Sequence, residues 1–278
     1  MTSWADTHVL VTGASSGAGL ATAVLLARKG AHLSLIARDA GRLETAAEIV
    51  SAARANADQR ITTHMCDVAD AEQVLLAVKH AEEAHGPVDT LAACAGYCIP
   101  ARFAETDVTD FDAHVGTNLL GVIYAARAVA PSMIERGRGH IAMIGSMGGL
   151  VGVYGYSAYS AAKFGVTGFA EVLRCELKVH GIGVTLLVPP NMDTPGYARE
   201  LAVEPPETAA INGIARTWAP ERVAEVFVRG IERNRFLVLP GLTNKLLYRA
   251  EGLWPELFFG IFDRTVARAR RTAVSPHA

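Results

Sequence analysis

The chain has 278 residues, half of them hydrophobic, and a formal net charge of −2 at pH 7. This is the composition of a globular protein and excludes a disordered or fibrous one. Near-neutral charge supplies no broad basic face for phosphate backbones, so nucleic acid is not an expected partner.

The chain opens MTSWADTHVLVTG, with no basic stretch followed by an apolar one, so no secretory signal is expected. No uninterrupted apolar run reaches the roughly 20 residues that span a bilayer. The expectation is a cytoplasmic protein, attached at most to a membrane surface. Apolar runs at 8–13, 31–37, 61–66, 88–94, 140–146 and 183–189 read as strands, with 236–241 as a seventh. The best of them are continuously apolar, as strands buried on both faces are. Helix-length segments at 17–29, 39–56, 70–85, 107–136 and 157–180 lie between them. Such alternation predicts an α/β fold built from right-handed crossovers on a parallel sheet. Residues 190–217 are rich in proline, alanine and polar residues and read as an irregular or partly helical excursion. A helix over 220–234, with Pro220 at its start, follows. Residues 1–241 are therefore expected to form one α/β domain that includes the excursion, and 242–278 a helical tail.

HVLVTGASSGAG leads from the first strand directly into the first helix, with Gly13, Gly17 and Gly19 in the connection. Glycines let a phosphate approach the main chain, and the helix start offers it free N–H groups. Three glycines alone would equally suit a tight turn. The second strand ends LIARD, where NAD-preferring folds often carry an acid for the ribose hydroxyls. Arg38 stands there after the small Ala37, and a guanidinium suits a 2′-phosphate. This favours NADP(H) over NAD(H), with Asp39 as the discordant neighbour and a solvated surface arginine as the alternative.

The cysteines, Cys66, Cys94, Cys98 and Cys175, form no CxxC pair and have no histidine at zinc spacing. Buried thiols in a reducing compartment are expected. Tyr159 and Lys163, in YSAAK, lie one turn apart if 157–180 is a helix. A nearby ammonium would favour the phenolate and make the tyrosine a tunable acid–base group. Ser146 closes a strand thirteen residues before that tyrosine and could hydrogen-bond a substrate oxygen. A hydrolase built on Ser146 fails because MIGSMGG lacks the GxSxG elbow.

With these motifs the sequence resembles the short-chain dehydrogenase/reductase family over about residues 7–240. The resemblance implies a Rossmann-type, doubly wound parallel sheet of about seven strands and hydride transfer with a nicotinamide cofactor. TGASSGAG would be the cofactor turn, with Gly13, Ser15, Ser16, Gly17 and Gly19. Asp67 and Val68 would meet adenine, and Ala95 and Gly96 would line the cofactor. Thr194 would bond the nicotinamide amide. Ser146, Tyr159 and Lys163 would be catalytic, and Asn118, in TNLLG, would complete the set by holding a relay water. ACAG stands where the family usually has NNAG, so Cys94 implies a packing adjustment. A homodimer or homotetramer is implied through 107–136 and 157–180.

The stretch from YSAYSAAK onward and PPNMDTPGYARE are similar to the 3-ketodihydrosphingosine reductase branch. That implies a long-chain 3-keto amino alcohol as substrate, reduced with NADPH. Alternatives are an alcohol dehydrogenase acting on a steroid-like or other hydroxy compound, and an inactive cofactor-binding sensor or scaffold. The leucine, tryptophan, phenylalanine and arginine of the tail suit either lipid contact or packing over the substrate pocket or a subunit.

Overall fold

The computed structural model describes residues 3–213 and 216–274. Seven parallel strands form one sheet: β1 His8–Thr12, β2 His32–Ala37, β3 Ile61–Met65, β4 Thr90–Ala93, β5 Gly139–Ile144, β6 Ile182–Leu187 and β7 Leu237–Val238. Their order is β3-β2-β1-β4-β5-β6-β7. The winding reverses between β1 and β4, and the crevice beyond the strand ends at such a reversal is where α/β sheets hold ligands.

Side chains alternate across each strand, so one strand feeds two cores. Leu10 and Ile36 face one layer, with Val74 and Val78 of α3 (Ala71–His85), Val122 and Val129 of α5 (Gly121–Arg136) and Val166 of α6 (Ser157–Lys178). Val9, Val11, Leu33 and Leu35 face the other. There they meet Leu26 of α1 (Gly17–Arg28), Leu43 and Val50 of α2 (Ala40–Ala52), and Val223 and Phe227 of α9 (Pro220–Glu232).

Three features differ from the sequence reading. The long helix expected over 107–136 is interrupted: α4 (Val108–Val115) passes through a π-helical turn, Gly116–Leu120, into α5. Gly116 and Gly121 bracket this wider turn, and a Cβ on Gly121 would come within 2.7 Å of a Val68 methyl. The seventh strand shrinks to Leu237–Val238, because Pro240 stops the ladder. Of the cysteines only Cys66 is fully buried; Cys94 and Cys98 are partly so, and Cys175 lies on the outer side of α6, exposed.

Within the excursion 190–217, α7 (Pro195–Leu201) and α8 (Pro206–Asn212) each begin at a proline, as suits the first helical position. The C-terminal region forms α10 (Leu242–Leu253) and α11 (Pro255–Val274), divided at Pro255. Among the described residues no helix is long and apolar enough to cross a membrane.

Candidate active site

A cavity of about 420 Å³ opens beyond the strand ends, and residues from the glycine turn to the C-terminal helices line it. The turn is shaped by what glycine lacks. Gly13 has φ +66°, and a Cβ there would sit 2.7 Å from the Ala95 Cα; one on Gly19 would sit 2.2 Å from the Gly13 carbonyl oxygen. The turn thus presses against the exit of β4, where the Thr12 hydroxyl accepts from the N–H groups of Cys94 and Ala95, both at 3.2 Å. Ser16 precedes α1 without a side-chain capping bond, and no acid occupies the first turn. The helix start is left free to meet an anion, as a dinucleotide's phosphates require. Ser15, Ser16 and Gly17 line the same wall.

At the end of β2, Arg38 and Arg42 border the cleft. Arg38 pairs with Asp67 at 3.6 Å, both substantially exposed, a contact worth little by itself. Asp39, the discordant acid, caps α2: its carboxylate accepts from the Arg42 N–H at 2.9 Å. Val68 is buried on the adjoining wall.

Ser146, Tyr159, Lys163 and Asn118 come together beyond β4 and β5. The Ser146 Oγ accepts from the Gly148 N–H at 3.1 Å. Asn118 is fully buried in the π-helical turn, where its amide donates to the Tyr97 carbonyl at 2.9 Å and accepts from the Tyr97 N–H at 3.0 Å. Such turns often mark functional positions. Gly96 leaves room beside it, since a Cβ there would lie 2.7 Å from the Asn118 Oδ1 and 3.5 Å from the Lys163 Nζ.

The expected acidification of the phenol by the ammonium is not what this geometry shows. Lys163 donates to the Ile144 carbonyl at 2.9 Å, and its Nζ stands 5.8 Å from the centre of the Tyr159 ring. Burial pushes the Tyr159 phenol above its ordinary range, the nearby Cys98 adds to this, and a hydrogen bond with Ser146 draws it back. Burial lowers Lys163 to about 8. The Tyr159 phenol therefore keeps its proton at physiological pH. Burial also raises the thiols of Cys66 to about 11 and Cys94 to about 12, which leaves them poor nucleophiles.

The other side of the cleft is built by residues that the sequence reading does not single out. Tyr156 stacks edge-on against Tyr159, ring centres 5.6 Å apart, and its hydroxyl donates to the Glu200 carboxylate. Asn212 donates to the Tyr156 oxygen at 2.7 Å and to Glu204 at 2.8 Å. Asn244 and Leu247 of α10 and Phe262 of α11 close the lining. Tyr156 stands three residues before Tyr159, at the N-terminal boundary of α6, close enough in sequence to be noticed; the others carry no local signature. Thr194 caps α7 by accepting from the Tyr197 N–H at 3.1 Å, and its methyl faces the space beside Gly17.

The family model described as short chain dehydrogenase matches residues 7–203. The chain belongs to the short-chain dehydrogenase/reductase family. It is an oxidoreductase, and its family binds NAD(P)(H). It is 38% identical over 94% of its length to a Danio rerio protein named 3-dehydrosphinganine reductase, covering 82% of that protein. It is 37% identical, with the same coverage, to a Bos taurus 3-ketodihydrosphingosine reductase. Among solved structures, levodione reductase superposes with TM-score 0.77 at 29% identity, over 85% of this chain and 96% of that one. A Burkholderia phymatum short chain dehydrogenase/reductase in complex with NAD gives 0.80 at 25% identity, over 91% and 96%.

Proposed function

We propose that this enzyme uses NADPH to reduce the ketone of a long-chain 3-keto amino alcohol, 3-ketodihydrosphingosine or a close analogue. The observation that carries the reading is the likeness to reductases of that name along 94% of the chain. The cleft supports it: Leu247 and Phe262 bring apolar surface from the C-terminal helices into the cleft that Tyr159 and Ser146 also line, a surface suited to an alkyl chain.

In this reading the glycine turn with Ser15 and Ser16 holds the dinucleotide's phosphates. Arg38 meets the 2′-phosphate, Asp67 and Val68 border the adenine, and Ala95, Gly96 and Thr194 line the remainder. The reduced nicotinamide, when bound, supplies a hydride to the carbonyl carbon. Tyr159 gives its phenolic proton to the carbonyl oxygen, so the ketone becomes an alcohol. Burial keeps that proton on the phenol until the developing alkoxide draws it off. Ser146 orients the carbonyl and shares the charge. Lys163, still an ammonium at neutral pH, steadies the phenolate and binds the nicotinamide ribose, and Asn118 anchors the water that returns the proton.

The test is NADPH oxidation across a ketone panel containing 3-ketodihydrosphingosine, steroid ketones and small cyclic diketones. Turnover of the amino ketone well above the others is expected. Preference for a steroid or a diketone, or for NADH over NADPH, would overturn the corresponding part.

We also propose that α10 and α11 touch a membrane surface from the cytoplasmic side. Leu246 and Leu253 of α10, Leu257 and Ile261 of α11, and Trp254 between them are exposed, and both helices also carry arginines. Anionic liposomes should co-sediment the full chain more than a form lacking 242–278; equal, negligible binding would remove this reading. Association as a homodimer or homotetramer through α5 and α6 belongs to the same proposal and is read by light scattering.

A further inference from the structure

A carboxylate that faces a substrate cleft needs a reason. Two acids line this cleft, Asp39 and Glu200. Asp39 is committed to capping α2. Glu200 is held on α7 by a hydrogen bond from Tyr156, whose ring packs against that of Tyr159. Among the described residues no lysine, arginine or histidine forms an ion pair with Glu200. Arg199, its chain neighbour, also lines the cleft, but it is exposed and forms no ion pair with Glu200. Burial, with Glu204 adding to it, raises the Glu200 carboxyl above its usual range even though the Tyr156 hydrogen bond draws it down. Glu200 also acts electrostatically on the Tyr159 phenol, so the two groups are close enough to serve the same small molecule.

A second observation is independent of the first. Asn244, only 3% exposed, lines the same cleft, and its amide nitrogen has no hydrogen-bond partner. Buried donors are normally satisfied, so this one points to a polar acceptor on a ligand. A cleft that joins the apolar surface of Leu247 and Phe262 to a carboxylate without an ion pair and an unused amide donor fits an amphiphile whose polar end carries a cation and a hydroxyl.

We propose that Glu200 recognises the substrate's protonated amine, making the enzyme selective for long-chain ketones with an ammonium beside the carbonyl, and that Asn244 receives the adjacent hydroxyl. This rests on the amino-ketone reading above and deepens it by assigning the residue that selects the charge. The contact is direct: a carboxylate oxygen accepts from the ammonium while the Tyr156 hydroxyl holds the other side of the carboxylate. Seated there, the ammonium restores the ionised form that burial disfavours.

Glu200→Gln keeps an acceptor for Tyr156 and removes only the charge. The experiment measures kcat/KM of wild type and E200Q for 3-ketodihydrosphingosine and for its N-acetyl derivative, which has no charge. It also measures displacement binding of dodecylamine against dodecanol, with circular dichroism to confirm that the variant is folded. Wild type is expected to prefer the free amine over the acetylated form, and E200Q to lose about 10- to 100-fold of that preference, mainly through KM. Dodecylamine should outcompete dodecanol on wild type and lose that advantage on E200Q. If E200Q retains the wild-type preference, Glu200 is not the recognition residue, and the amino-ketone reading stands without it. If wild type reduces neither ketone yet binds dodecylamine through Glu200, the charge selectivity holds and the substrate assignment fails. If amine and alcohol bind wild type alike, the proposal is overturned. An E200Q that does not fold is replaced by Tyr156→Phe, which frees the carboxylate and should change the amine preference while the N-acetyl comparison reports the rest of the site; no change there counts against the proposal.

Discussion

The two ends of the sheet bury titratable groups in different ways. Where the strands begin, His8 and His140 are buried as neutral rings whose hydrogen bonds fix their protons. The Gly86 carbonyl can only accept, so His8 carries its proton on Nδ1 and takes the Ser34 hydroxyl on Nε2, at 2.8 and 2.9 Å. Thr185 donates to the Arg235 carbonyl, so His140 must donate to Thr185 through Nε2, at 2.8 Å. Where the strands end, Lys163 is buried and Tyr159 partly so beside a cleft, hydrogen-bonded to a carbonyl and a serine respectively. At one end burial fixes protons in place; at the other it leaves a proton ready to move.

Tyr159→Phe gives the sharpest test of that contrast. Loss of a positioned general acid should lower kcat/KM by about 10²- to 10⁴-fold. NADPH titration and thermal unfolding should remain near wild type, because the hydroxyl's work lies in the reaction. A variant that unfolds, or that turns over normally, would erase the distinction between the two ends.

The beginning of the strands should answer to acid. Burial depresses His8 and His140 to about 4, against 6.5 for an ordinary histidine. The unfolded chain then binds more protons between those values. The neutral histidines contribute their full stability above pH 6.5 and lose it as pH falls toward 4. Each is worth about 3 kcal/mol by proton linkage. Denaturant midpoints from pH 7 to 4 should fall steeply, and His140→Asn should flatten the fall. A pH-independent midpoint over that range would contradict the buried network.

How much of this could be read from the chain depends on how local each signal is. The strand pattern, the glycine turn and the Tyr159–Lys163 spacing lie within short windows, and those elements sit within a few residues of where periodicity puts them. The π-helical turn at Asn118 could not be read, because a helix pattern is blind to one widened turn, and the close approach of Gly121 to Val68 joins residues some fifty positions apart. The direction of the Tyr159 shift was equally hidden: spacing puts an ammonium nearby, but only coordinates show it turned to the Ile144 carbonyl. Glu200, Asn212 and Asn244 belong to three separate helices, so the polar side of the cleft exists only after folding.

Arg38→Ala tests the rim of the cofactor half. If Arg38 meets a 2′-phosphate, its loss should reduce the NADPH-to-NADH ratio of kcat/KM by about 10- to 100-fold, the scale of one charge-assisted contact. Asp39 should remain silent in the same assay, because its carboxylate is engaged with the α2 backbone. An unchanged ratio for R38A would return that arginine to its pairing with Asp67 and leave the cofactor preference to Arg42 or to none.

The smallest expected effect lies where α11 meets α8. Arg270 reaches the Glu207 carboxylate at 3.6 Å and is itself 68% exposed, while Glu207 is 2% exposed and held more closely by Arg102 at 3.1 Å and by Tyr154 at 3.4 Å. Burial alone would raise the Glu207 carboxyl; its backbone and Arg102 hydrogen bonds outweigh that and hold it low. The carboxylate therefore stays satisfied when the outer arginine leaves. Arg270→Ala should move the melting temperature by about 1 °C or less, as loss of an exposed ion pair does. Arg102→Met should move it several times further, since it strips a buried charge of its nearest partner. Equal shifts for the two would mean that α11 is clamped by its arginine and not by the helix packing, making that contact part of the cleft's closure.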